Sequence, residues 1–293
     1  MYIIINIFIL ILVLFIYIHI YNNINSSNYL EIYEVEYTSK ENFEDLCNTK
    51  QPIIFNNISL NNSLSKQYLI DEFKNFNINL LNVNDEHNNI SIPILLADSE
   101  TLFKNDNSNS YISVNNTNFL KETTLIKVLK NNDMVLRPIG VANMDYDFLL
   151  GSINSYTNLS MSYSVRNFLY INSGSVEVTI TPLIYEKYLY SKKNDEMMNK
   201  ISDINIYNIN DNHKSNYNKI KFLQVKVKTG QLLFIPNYWY YSIKILEDDT
   251  LVTIYKYKTY SNCISLIPEY LLQYLQKQNI KNNYINKAVS KLN

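Results

Sequence analysis

Three histidines, two cysteines, four glycines, six prolines and one tryptophan are all that 293 residues provide of these types. Four glycines leave no room for a glycine-rich phosphate loop, and with the six prolines they rule out collagen-like and Pro-rich architectures. Cys47 and Cys263 lie far apart with no Cys-x-x-Cys spacing, so alone they cannot build a structural zinc site. They read as buried small hydrophobes, with a single disulfide open to them if the domain is lumenal. An excess of charge of either sign is lacking too. Twenty-six Lys+Arg against 27 Asp+Glu leave a formal net charge of -1, which exerts no pull toward nucleic acid or anionic lipid. Histidine, the commonest imidazole ligand and general base, is the scarcest functional resource.

What is present is enough for a core. Hydrophobic residues make up 46% and charged residues 18%, which separates the chain from disordered tails. Asn, Ile, Tyr and Lys are abundant and Ala nearly absent, the pattern AT-rich codons produce. Glycosylation sequons at Asn57, Asn89, Asn115 and Asn158 therefore arise by chance as readily as by use.

One long apolar run stands apart. Tyr2–Tyr21 carries no formally charged residue, and about 20 such residues suffice to cross a hydrocarbon core of roughly 30 Å as a helix. Asn6 and His19 are its clearly polar side chains, and Tyr17 and Tyr21 suit the interfacial belt. A cleaved signal peptide would want a basic start, a shorter core and a small-residue cleavage site, none of which is evident. The expectation is a transmembrane signal-anchor over residues 1–21, followed by a polar linker over 22–35. No Lys or Arg precedes Lys40, so the C-terminal flank has no cytoplasmic bias and a lumenal or extracellular domain is preferred.

Beyond the linker, Ser39–Leu46, Ser63–Phe76 and Asn115–Asn131 read as helices, and Gln51–Ile58 as a short strand after a proline. Residues 84–90 and 104–110 read as polar loops. The second half changes character: NFLYI, SVEVTITPL, FLQVKVKTG, QLLFIP and TLVTIYKYK are β-branched, aromatic and partly alternating. A polar stretch at 191–219 reads as a mobile insertion, and Pro268–Leu292 as an amphipathic terminal helix. The sum is an α+β domain, mainly β, built around a sandwich or barrel.

Two segments carry a resemblance. MSYSVRNFLYINSGSVEVTITPL (Met161–Leu183) and GQLLFIPNYWYYSIKILEDDTLVTIYKY (Gly230–Tyr257) resemble the metal-bearing stretches of the cupin-like JmjC oxygenases, in their asparaginyl-hydroxylase-like branch. Asn167, Gly174 and Pro182 keep the family's spacing in the first segment; Gly230, Pro236 and Trp239 keep it in the second. The acidic helix and PIIF strand of the front half match the family's lead-in. The resemblance covers roughly residues 36–275 and implies a double-stranded β-helix (cupin, or jelly-roll) with N- and C-terminal flanking helices. Its β-core would run over about 141–260, with a helix or tail at 276–293.

In that family two histidines and a carboxylate hold Fe(II) and leave open positions for 2-oxoglutarate and oxygen. Carried over residue by residue, the ligand positions are Met161, Tyr163 and Tyr241. Methionine is a neutral soft donor and a phenol has a reference pKa of about 10, so this set does not suit a hard divalent cation. The lysine that often meets the 2-oxoglutarate carboxylate is Val176 here, and the family's Gly-Asp aspartate is Gln231. Asn167, Val176, Trp239 and Lys256 are the remaining candidate pocket residues. Asn167, Gly174 and Trp239 have plain structural uses as well, and Lys226, Lys228, Lys256 and Lys258 alternate as a solvated sheet face would.

His19 falls in the apolar run, and His87 and His213 fall in polar segments, away from any strand-borne carboxylate partner. Asp195, Asp203 and Asp211 are the acids nearest His213. The reading that follows is a membrane-anchored, catalytically inactive cupin-like protein, needing neither Fe(II) nor 2-oxoglutarate, that acts as a binding or scaffold module. Its partners would be the membrane and unidentified protein, with no nucleic acid; a homodimer through the terminal helix follows from the family by analogy. An active Fe(II)/2-oxoglutarate oxygenase with non-standard ligands, of protein hydroxylase or demethylase class, is the alternative. A structural membrane or envelope protein is the third.

Overall fold

The computed structural model describes residues 2–60, 64–83, 91–194, 199–276 and 278, with the side chains of the first helix described at 2–17 and 21. That helix, α1 (Tyr2–Ile24), has no glycine or proline to interrupt it, and its described side chains are exposed on every side. Among the described residues no helix is long and apolar enough to cross a membrane, so the transmembrane helix expected over Tyr2–Tyr21 is not found. The continuous described run of α1 side chains, Tyr2–Tyr17, is shorter than that expected span.

The segment read as a linker is partly a strand. β1 (Tyr33–Glu36) pairs in parallel with β2 (Ile53–Asn56), the strand expected after the proline. Between them runs α2 (Lys40–Asn48), which begins where Ser39 accepts a hydrogen bond from the Asn42 backbone at 3.2 Å. Ser65 caps α3 (Lys66–Phe73) in the same way through Tyr68 N at 3.1 Å. β3 (Asn77–Asn82), β4 (Ile92–Leu95), α4 (Leu96–Asn105) and β5 (Tyr111–Ser113) follow, around the polar loops read at 84–90 and 104–110, the second of which begins inside the end of α4. The loop read at 84–90, with His87, lies outside the described residues. The helix expected over Asn115–Asn131 is divided into α5 (Thr117–Glu122) and α6 (Leu125–Asn131) because Thr124 takes a left-handed φ of 60°. α7 (Asp133–Leu136) closes the helical layer.

From there the chain is mostly strand: β6 (Val141–Gly151), β7 (Ser160–Ser162), β8 (Arg166–Ser173) and β9 (Ser175–Thr181). The stretch expected to be a mobile insertion is built into the fold. β10 (Ser191–Asn194) and β11 (Asn199–Ser202) form a hairpin whose second strand pairs with β7, and α8 (Lys214–Tyr217) follows. β12 (Leu223–Lys228), β13 (Leu232–Pro236), β14 (Tyr240–Ile245) and β15 (Leu251–Thr259) complete the strands. α9 (Tyr260–Ser265) and a helix at 267–276 end the described chain, while residues 279–293 of the expected tail lie outside it.

Among the described residues the strands make two sheets, ordered β1-β2-β13-β8-β15-β6-β5-β3-β4 and β10-β11-β7-β14-β9-β12. Successive strands β12, β13, β14 and β15 alternate between the two sheets, as a double-stranded β-helix requires. The larger sheet has two buried faces. One packs under the helices, where Phe43 sits 4.7 Å from Phe55 and 5.5 Å from Phe168 between ring centroids. Each such ring removed from water is worth roughly 1.5–3 kcal/mol. The other face meets the smaller sheet through Leu169, Ile171, Leu233 and Val252 against Val176, Val178, Ile243 and Ile245.

Polar groups lock the helical layer in place. Asp133 accepts from Tyr146 Oη at 2.5 Å and Tyr257 Oη at 2.7 Å, which ties α7 to two adjacent strands. Asn132 Nδ2 donates to Tyr255 Oη at 2.9 Å beside them. Arg166 on β8 pairs with Glu44 on α2 at 2.6 Å.

Candidate functional site

Alternation along β14 decides what faces the barrel interior. Tyr241, Ile243 and Ile245 belong to the core between the sheets, whereas Tyr240 belongs to a separate cluster on the smaller sheet's outer face. The adjacent β7 is short and its register is fixed: Tyr241 lies opposite Ser160, and Tyr240 opposite Met161. Directly opposed residues on an antiparallel ladder share a face. Ser160 is therefore on the inner side with Tyr241, and Met161 on the outer side with Tyr240.

The three positions assigned to the metal by resemblance thus do not meet. Met161 and Tyr163 are buried in the outer cluster with Leu189, Ile204 and Leu266, where the Tyr163 ring lies 6.3 Å from that of Tyr238. Tyr241 alone of the three faces inward. A one-residue change of register exchanges the two faces of a strand, and β7 presents Ser160, not Met161, to the interior.

Of the other candidates, Lys256 lines the interior cavity and the rest do not. Asn167 donates weakly to Ser164 O and Ile235 O at 3.3 and 3.4 Å, joining β8 to β13. Val176 is packed inside the inter-sheet core. Trp239 donates from Nε1 to Ser26 Oγ and Ser27 O, both at 3.0 Å, and so clasps the segment that leaves α1.

The cavity has a volume of about 130 Å³ and is lined by residues of both sheets. Its chemistry comes from Asp147 on β6, Lys256 on β15, Tyr241 on β14, and Ser160, Asn158 and Asn199 nearby. Asp147 and Ser160 are the residues that sequence reasoning missed. Their signal was modest: Asp147 is a charged residue next to Phe148-Leu149-Leu150 in an otherwise apolar strand end.

Asp147 is held by three backbone amides, two from the β5–α5 connection and one from β6 itself. Oδ2 accepts from Asn115 N at 2.7 Å, and Oδ1 accepts from Asn116 N at 2.6 Å and Phe148 N at 2.9 Å. Burial pushes its carboxyl above the usual range, against the opposing pull of these amides and of Lys256. The Lys256 ammonium is held above the ordinary lysine value by Tyr241 first, then, against the cost of burial, by Asp147 and Asp145. It makes no hydrogen bond or ion pair with any described residue.

These residues do not fit Fe(II). Among the described residues the cavity lining offers one carboxyl group, most of whose acceptor sites are taken by three backbone amides, and a lysine where a second cation would be repelled. Among the described residues no three His, Cys, Asp or Glu gather as a metal site would need. His213 lies beside Tyr190 with the two rings tilted, 4.9 Å between centroids, and does not line the cavity. Asp203 and Asp211 are paired with Lys192 and Lys214; Asp195 and the side chain of His19 lie outside the described set. Cys47 and Cys263 are free thiols, not a disulfide. Burial pushes the Cys47 thiol up to about 12, which leaves it inert.

A family model for the cupin-like domain matches residues 56–262, more than two thirds of the chain. No curated protein matches the chain.

Proposed function

The chain belongs to the cupin-like domain family, and from that premise we propose that it is a membrane-tethered, non-catalytic member acting as a binding or scaffold module. One observation carries the reading: the inner face that should hold a metal presents Ser160 opposite Tyr241, with Asp147 accepting from three backbone amides and the ammonium of Lys256. An ammonium and an amide-held carboxyl group in a cavity of about 130 Å³ suit recognition of a small polar ligand. They do not suit the labile coordination that oxygen chemistry needs. The tether is α1, whose described side chains are uncharged, exposed and, Asn6 apart, apolar or aromatic, a surface costly to leave in water.

The test is metal and turnover together on the full chain in detergent. Calorimetric titration with Fe(II) or Mn(II) is expected to show no stoichiometric binding. Incubation with Fe(II), 2-oxoglutarate and oxygen is expected to give succinate at the enzyme-free rate. Stoichiometric metal with succinate formation above that background would overturn the reading.

A further inference from the structure

The C-terminal end of the described chain has two unlike faces. Leu266 is buried in the outer cluster, Glu269 is paired with Lys193 at 2.6 Å, and the Tyr270 ring lies under the Lys258 ammonium. These three hold α9 and the helix at 267–276 onto the barrel. On the other side, Ile264, Ile267, Leu271 and Leu275 follow one another at helical spacing, each about half exposed: 49%, 56%, 59% and 50%. Leu272 and Tyr274 widen the stripe. Glu269 is the one charged residue between Tyr260 and Gln276, and it faces the barrel.

α9 packs against α1. Whatever covers α1 beside α9 therefore reaches the edge of this stripe, and neither α1 nor the stripe carries a charged residue. We propose that the face Ile264–Ile267–Leu271–Leu275 lies against the surface of the same lipid bilayer that receives α1. An interfacial helix face of this kind sinks about 5–10 Å to the headgroup–acyl boundary. With no basic residue on the stripe, the surface it fits is a zwitterionic bilayer, not an anionic one. Two contacts instead of one hold the barrel in a fixed orientation on the membrane. The inference rests on the tether reading.

The full chain carrying Cys263→Ser and Leu271→Cys, labelled with an environment-sensitive fluorophore, is reconstituted with phosphatidylcholine vesicles that contain nitroxide-labelled lipid. Ile92→Cys, on the edge strand β4 and 65% exposed, is the comparison site. Expected is a blue shift at position 271 and at least about two-fold more quenching by the lipid nitroxide than at position 92. Co-flotation of the protein with a water-exposed label at 271 overturns the inference. So does a label shielded from both water and the lipid quencher, because a second copy or the chain's own tail then covers the stripe. A chain that does not float with the vesicles at all removes the tether reading itself.

Discussion

Asp106 shows how a single carboxylate is committed to structure. It accepts from Ser108 N and Oγ at 2.9 and 2.7 Å, Ser110 N at 2.7 Å, Tyr111 N at 3.1 Å and Ser152 Oγ at 2.7 Å. These bonds fasten the end of α4 to the start of β5 and the end of β6. Burial alone would raise its carboxyl, yet the five donors win and hold it at about 2, below the ordinary 3.8. A folded value below the unfolded one means that the stability from Asp106 is complete above about 3.8 and drains away as pH falls toward about 2. Urea midpoints measured across that acid window should drop, and Asp106→Asn should flatten the part due to this group. At neutral pH the same variant should lose roughly 1 kcal/mol, since solvent screens a carboxylate this accessible. An unchanged acid slope in the variant would show that Asp106 contributes nothing.

Turns are where the elements are most narrowly specified. Gly174, between β8 and β9, has φ +71°, and an added Cβ would lie 2.4 Å from Thr250 Oγ1 and 2.7 Å from Thr250 Cα. The backbone at Thr250, immediately before β15, cannot yield to such a contact cheaply. Gly230 has φ +83° with nothing within 4 Å of an added Cβ, so only the left-handed strain applies there. Gly174→Ala should therefore cost at least about 2 kcal/mol in denaturant unfolding and Gly230→Ala about 1 kcal/mol; equal losses would contradict the contact. The same elements show what could be read beforehand. Ser39 announced α2, and the alternating strands of the second half announced β8, β9, β12, β13 and β15, because both signals are local. The face of β7 was not legible. Ser160-Met161-Ser162-Tyr163 alternates plainly, but the smaller sheet is covered on both sides, so apolar side chains are at home on either. Only the pairing with β14 tells inside from outside. The strand inside the presumed linker was hidden for a related reason: β1 is mostly exposed and owes its existence to β2, not to its own composition.

For the whole molecule, the near-zero net charge and the uneven distribution of apolar residues act together. The two longest runs of exposed hydrophobic residues are on α1 and on the C-terminal stripe, with scattered others such as Met134 and Ile139, while most of the barrel's apolar residues are spent on three buried clusters. A charge of -1 gives the molecule no electrostatic reason to approach a membrane. Any membrane association must then come from α1 and its neighbour, and it should behave as burial of apolar surface behaves. At about 1 M salt the Debye length contracts to roughly 3 Å and charge attraction is screened away, whereas hydrophobic contact persists. The full chain should float with zwitterionic vesicles to the same extent, within about two-fold, at low salt and at about 1 M salt, and anionic lipid should add little. Detergent, which offers α1 another apolar surface, should release it. Release by salt with retention in detergent-free buffer at low ionic strength would instead place the contact on the charged faces of the barrel and take the membrane role away from α1.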